Sequence, residues 1–196
     1  MIKQAPYDSV VFVSKPRCAS TSIFEHIYMW DDETMGSKPL YHMPAVGMMR
    51  NLGSKKWKDC TTFAVIRNPI DLVISWYQHH KFGRPSKNTA SYYPDDINTW
   101  VGSGFKTHWG NWANSCKKTN PLLQTNWTHH ENQQIVDFMI RLEDQDWKGF
   151  EESSGISMSK LPQRNQSPKV NEHVLTEKSL SVINEFFHQD FETYKY

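Results

Sequence analysis

Val10-Val-Phe-Val13-Ser-Lys15-Pro-Arg17-Cys18-Ala19-Ser20-Thr21-Ser22-Ile-Phe-Glu-His-Ile27 is the stretch on which the fold turns. The apolar run Val10 to Val13 reads as a short buried strand. A turn of small and basic residues follows, and then Ile23, Phe24 and Ile27 recur at helical spacing. Strand, turn, helix is the unit that offers backbone N–H groups to an anion, because the first amides of a helix have no intrahelical acceptor. Lys15 and Arg17 flank the turn as cations, and Ser20, Thr21 and Ser22 add hydroxyls. A phosphate or sulfate needs that combination of amide donors, a positive dipole end and a charge-assisted bond. Taken alone, the same residues also suit an ordinary β–α turn with a hydroxyl cap. The turn is not a Walker A loop, since GxxxxGK[ST] is absent.

The design recurs further on. Thr62-Phe-Ala-Val-Ile66 is a second short apolar strand that ends at Arg67. Asn68 follows as a helix N-cap, with Pro69 at the first helical position. The spacing predicts a helix with Ile70, Val73, Ile74 and Tyr77 on one face, running to about His80. Ser75 sits about two turns into it. An arginine leaving a strand and a hydroxyl placed this way can close on a second phosphate; read singly, they are a surface arginine and a helix serine. Two strand–loop–helix units in sequence predict an α/β fold with a central parallel sheet flanked by helices.

Around these units the signals are coarser. Residues 82–128 are polar, aromatic and turn-rich, and a stretch of that length is expected to hold short helices, around Trp100 and Trp109. It reads as a Trp-rich insert within a single domain spanning 1–196. Val136 to Leu142 alternates like a strand, Trp147 to Ser154 reads as a helix, and Leu180 to Phe187 as an amphipathic one. With 196 residues the chain can bury a real core without staples. Its net charge of +1 gives no global pull toward nucleic acid or an anionic membrane, so any anion site must be a local cluster. Cys18, Cys60 and Cys116 are odd in number and contain no CxxC pair, which excludes a zinc ribbon and argues against a disulfide framework. No carboxylate or histidine cluster has metal-ligand spacing. The N-terminal apolar run is too short for a signal peptide and no segment has the length of a membrane span, so a soluble, cytoplasmic protein is expected. In that setting Asn126-Trp-Thr and Asn165-Gln-Ser match the glycosylation sequon by chance.

Together the two phosphate-type segments resemble the paired signatures of the sulfotransferase superfamily that uses 3′-phosphoadenosine 5′-phosphosulfate. Lys15 to Ser22 is similar to the family's 5′-phosphosulfate loop, with Arg17 at its basic position. Arg67-Asn-Pro with Ser75 is similar to its 3′-phosphate motif. Arg141-Leu-Glu-Asp144 followed by Gly155-Ile156 resembles its central strand and helix, Leu161 to Ser167 with Arg164 its late loop, and Asp190-Phe191 with Tyr194 and Tyr196 its closing segment. The ordered set covers most of the chain and is closest to the carbohydrate-type, Golgi-like branch, here short and with no membrane anchor expected. The loop departs from the family in carrying Arg17 where many members have Lys, and Cys18-Ala19 where Gly is usual. Ser22 stands where the cytosolic branch places an aromatic against adenine.

What the resemblance implies is a P-loop-like three-layer fold and an enzyme that transfers a sulfuryl group to an acceptor hydroxyl on a carbohydrate or small molecule. Its donor would contact Lys15, Arg17, Cys18, Ala19, Ser20, Thr21, Ser22, Arg67, Ser75 and Arg164. The family often uses His or Glu as general base between the two motifs, and His42 in Tyr41-His-Met-Pro-Ala45 fits that place. Imidazole, with an ordinary pKa of about 6.5, suits a hydroxyl proton near neutrality. Glu25, His26, His79 and His80 are the other candidates among nine histidines. Trp100, Trp109, Trp112 and Trp127 could stack on sugar rings, or fill the core, the role expected for at least two of them. Lys55-Lys56 and Lys117-Lys118 read as solvated surface. Two other function classes compete. A nucleotide kinase-like phosphotransferase would need the P-loop Gly-Lys and a magnesium carboxylate. A non-catalytic glycan- or nucleotide-binding module would need neither.

Overall fold

The computed structural model describes residues 9–28, 42–83, 92–107, 121–162 and 175–196. They fall into two compact units, one built from Met1–Arg67 with Asn126–Asn165, the other from Asn68–Thr125 with Gln166–Tyr196.

The first unit holds a mixed α/β arrangement. Its strands are β1 (Val10–Val13), β2 (Thr61–Ile66), a two-residue antiparallel ladder of β3 (His129–His130) with β4 (Gln133–Gln134), and β5 (Phe138–Arg141). The helices are α1 (Ser20–Tyr28), α2 (Ala45–Leu52), α3 (Ser54–Lys58) and, after Trp147, one over Lys148–Ser154. β1, β2 and β5 form a parallel sheet in the order β1-β2-β5, as the two repeated units predict. β2 is the central strand, and an almost wholly apolar Thr61–Ile66 suits a strand covered on both faces.

Register then sorts the side chains. Phe12 pairs with Phe63, and Phe63 with Phe138, so three phenylalanines share one face. Phe12 and Phe63 stack at 4.8 Å, Phe24 of α1 lies 5.3 Å from Phe12, and Phe150 of the Lys148–Ser154 helix lies 4.4 Å from Phe63. The other face carries Val13 and Ala64, packed with Ala45 and Met48 of α2, Trp57 of α3, and Trp127 and Val136. The parallel sheet is therefore flanked by helices. At the outer edge of β1 the Tyr28 hydroxyl accepts from the Phe12 N–H at 3.1 Å and donates to the Val10 carbonyl at 3.3 Å. One side chain thereby satisfies two strand groups.

In the second unit, α4 (Pro69–Gln78) begins as its sequence predicts: Asn68 Oδ1 accepts from the Ile70 N–H at 2.9 Å, and Pro69 takes the first turn. The buried face is shifted from the expected one. Leu72, Val73, Trp76 and Tyr77 are buried, whereas Ile70 and Ile74 are half-buried. The Trp76 indole N–H donates to the Tyr93 hydroxyl at 3.0 Å, which draws the helix round toward the tryptophan. α4 runs into a π-helical turn, His79–Gly83. α5 (Ile97–Gly102) is the short helix expected around Trp100; Trp109 and Trp112 lie outside the described residues. After α6 (Thr125–Thr128), and with the Lys148–Ser154 helix of the first unit numbered α7, the chain ends in α8 (Glu177–Phe186) and α9 (His188–Tyr194). Buried Asp190 accepts from the Gln124 and Thr125 N–H groups, fastening α9 to those two residues of the same unit. Among the described residues no helix is long and apolar enough to cross a membrane.

Candidate functional site

Parallel strands bring their carboxyl ends to one edge of the sheet, the edge where open α/β sheets take up ligands. In the first unit these ends deliver Ser14 and Lys15 from β1, Arg67 from β2, and Arg141 and Glu143 from β5. Arg141 pairs with Asp144, Nε to Oδ2 at 3.0 Å.

The loop from β1 to α1 has an uncommon backbone. Arg17 has φ 67° and Ala19 φ 56°, left-handed values at positions that are not glycine. Each costs about 1–2 kcal/mol, an expense that accumulates at functional loops more than elsewhere. Left-handed residues next to a helix start turn successive N–H groups to one side and make an anion-binding concavity. Ser20 Oγ closes the loop by donating to the Lys15 carbonyl at 2.6 Å. The first bond of α1 runs from the Ile23 N–H to the Ala19 carbonyl at 3.1 Å, so the amides of Ser20, Thr21 and Ser22 precede it. Ser20 and Ser22 are buried and Thr21 is half-buried. Lys15 is only 1% exposed, and an ammonium at that depth is costly unless an anion is close.

Charge converges on the same loop. Arg67 Nη1 stands 3.5 Å from the Arg17 carbonyl, so the end of β2 reaches the loop after β1. The Cys18 thiol registers the cluster. Burial pushes its pKa up; Lys15, Arg67 and Arg17 pull it down and Glu143 adds to the rise, with burial the winner. Cys18 is a protonated packing residue, not a nucleophile.

His42 joins this group. Its main-chain N–H donates to Ser14 Oγ at 2.8 Å, and its ring Nδ1 lies 2.8 Å from the Ser14 carbonyl oxygen. A carbonyl can only accept, so Nδ1 carries a proton and Nε2 bears the lone pair of the neutral ring. Burial lowers the His42 pKa to about 4; the bond to Ser14 works against that and the charge of Lys15 adds to it. The ordinary value near 6.5 expected from the sequence is thus corrected downward, and the ring is neutral at pH 7.

The remaining candidates are placed differently. His26 Nε2 is bonded to the Ser157 carbonyl at 2.7 Å, and Glu25 is half-buried on α1. Ser75, buried on α4, and His79 and His80, in the π-helical turn, belong to the second unit. Arg164 lies outside the described residues. Trp100 and Trp127 are buried core residues, as expected for at least two of the four tryptophans. Lys55 and Lys56 are exposed. Sequence reasoning passed over Ser14, although a lone hydroxyl directly after an apolar strand and before Lys15 was a signal. No family model, curated protein or solved structure matches this chain.

Proposed function

We propose that this chain is a sulfotransferase that moves a sulfuryl group from 3′-phosphoadenosine 5′-phosphosulfate to a hydroxyl of a carbohydrate or small molecule. The observation that carries the reading is the loop Lys15 to Ser22. A buried lysine, two left-handed residues, a helix start and the guanidinium of Arg67 meet there, all suited to a phosphate or sulfate. The ordered resemblance to the sulfotransferase signatures adds the 3′-phosphate motif and the P-loop-like three-layer architecture to the reading.

In this reading Lys15, Arg17 and the amides of Cys18, Ala19, Ser20, Thr21 and Ser22 hold the 5′ end of the donor. The resemblance assigns Arg67 and Ser75 to the motif for its 3′-phosphate, and Arg164 to the same donor set. The donor supplies a sulfuryl group already activated on a phosphate leaving group. His42 Nε2 takes the proton from the acceptor hydroxyl while that oxygen bonds to sulfur and the bond from sulfur to the phosphate oxygen breaks. Arg17 and the loop amides stabilise the charge left on the phosphate, so no proton has to be supplied to it. A base of pKa about 4 has less driving force than an ordinary imidazole, but it is wholly in its acceptor form at neutral pH.

Calorimetric titration with adenosine 3′,5′-bisphosphate, AMP and ATP tests the donor assignment. The bisphosphate is expected to bind about tenfold to a hundredfold better than AMP, the worth of one charge-assisted pair at roughly 1.5–3 kcal/mol. Preference for ATP would point to the phosphotransferase class. Equal affinity for the bisphosphate and AMP would remove the 3′-phosphate role of Arg67 and Ser75.

A further inference from the structure

The two bonds between Ser14 and His42 do more than fill space. His42 has φ 54°, a left-handed backbone that a histidine adopts at a cost. The main-chain N–H and ring Nδ1 of His42 both bond to one residue, and that residue is fully buried at the exit of β1. Ser14 is followed at once by Lys15, whose carbonyl closes the anion loop through Ser20. Backbone strain at His42 and the ring's orientation therefore share one anchor, next in sequence to the residue whose carbonyl closes the loop.

We infer that Ser14 is a positioning residue: its hydroxyl and carbonyl hold His42 left-handed beside the anion loop, in the tautomer that carries its lone pair on Nε2. This rests on the reading of His42 as general base. The hydroxyl has a distinct part in it. The carbonyl chooses the tautomer, since it can pair only with a protonated Nδ1. The hydroxyl takes the main-chain N–H, and without it a half-buried donor is left to find another partner. The ring is then free to swing toward water. A swung ring would regain ordinary hydration and leave the neighbourhood of Lys15, the two influences that depress its pKa. Lys15 is a charged side chain that bears on His42, and Ser14 is a hydrogen-bonding partner of its ring.

Nitrogen-15 NMR of the full chain, with His42 assigned through His42→Gln, reads the tether without needing any enzymatic activity. In the wild type, His42 is expected as the Nδ1–H tautomer with a pKa well below 6. In Ser14→Ala the pKa is expected to rise by at least one unit, with mixed tautomers. Ser14→Thr, which keeps the hydroxyl, is expected to restore both. The sulfate-transfer rate of Ser14→Ala is expected to fall about tenfold or more, with affinity for adenosine 3′,5′-bisphosphate changed less than threefold. An unaltered His42 titration in a folded Ser14→Ala variant, or an Nε2–H tautomer in the wild type, overturns the inference. So does a fall in bisphosphate affinity that matches the fall in rate, because Ser14 would then be a loop-building residue. If the NMR result holds while His42→Gln transfers sulfate at the wild-type rate, the tether stands and the base assignment fails.

Discussion

Arg67 and Arg17, separated by 50 residues of chain, meet through the Arg17 carbonyl, which lies 3.5 Å from Arg67 Nη1. Two cations and a buried lysine thus act on one loop, and all three are felt by the thiol of Cys18 between them. Gathering like charges has a cost that an anion would relieve. In a chain of net charge +1 this is local design, not a basic surface.

On the proposed reading, changing Arg67 to Ala removes a phosphate ligand and a brace on the loop together. Affinity for adenosine 3′,5′-bisphosphate is expected to fall about tenfold to a hundredfold, and affinity for AMP, which lacks the 3′-phosphate, by a smaller factor. Calorimetry on the folded variant checks this, and an unchanged bisphosphate affinity would contradict it. Arg67→Lys should recover part of the loss, since a point charge replaces the fork.

The depressed pKa of His42 has a sign that can be measured. Its folded value, about 4, lies below the unfolded value near 6.5, so the unfolded chain binds more protons between them. The contribution to stability is complete above about pH 6.5 and is lost as pH falls toward 4. Urea midpoints between pH 7 and 4.5 are expected to drop more steeply for the wild type than for His42→Asn. The acid limb of kcat/KM is expected near pH 4, and that of kcat higher, because a bound anionic donor offsets the charge of Lys15. Limbs for both at pH 6–7 would mean that His42 titrates as an ordinary surface histidine.

Ala19, at φ 56°, is a site where glycine should not weaken the fold. Relief of about 1–2 kcal/mol of left-handed strain opposes the roughly 0.4–1 kcal/mol lost by making the unfolded chain more flexible. Ala19→Gly is expected to leave the urea midpoint unchanged or slightly raised. A loss of about 1 kcal/mol would show that the loop relaxes to right-handed values.

Tyr28 tests the sheet edge separately from the site. Tyr28→Phe keeps the ring beside Phe24 but leaves the Phe12 N–H and the Val10 carbonyl without that hydroxyl. The expected cost is about 1–3 kcal/mol of stability, read from denaturant unfolding, with bisphosphate affinity retained. No loss of stability would mean that water serves the β1 edge equally well.

Local chemistry made much of this fold legible. Apolar runs at Val10–Val13 and Thr62–Ile66, and the Asn68-Pro69 cap, carry their own signals, and each formed as read. α2 and α3 were silent because Pro44, Gly47 and Gly53 break up the pattern; packing of Ala45, Met48 and Trp57 on the sheet sustains those helices. The loop could be located from its composition, but not its backbone, since nothing about Arg17 or Ala19 favours φ above zero. Nor could Ser14 be joined to His42, 28 residues away, by any local rule. The misjudged face of α4 has the same origin, because Tyr93, which draws in Trp76, lies 17 residues further on.

Sulfate transfer itself is the most direct measurement: radiolabelled 3′-phosphoadenosine 5′-phosphosulfate, a panel of glycans and small alcohols, and the wild-type chain beside folded Arg17→Ala and His42→Ala. The expected result is label on at least one acceptor with stoichiometric release of adenosine 3′,5′-bisphosphate. Arg17→Ala should be slower by roughly a hundredfold or more, and His42→Ala by about 10²–10⁴ with donor binding nearly intact. The contrary result is a wild-type chain that binds the bisphosphate yet transfers no label to any acceptor, or transfers it equally well without Arg17 and His42.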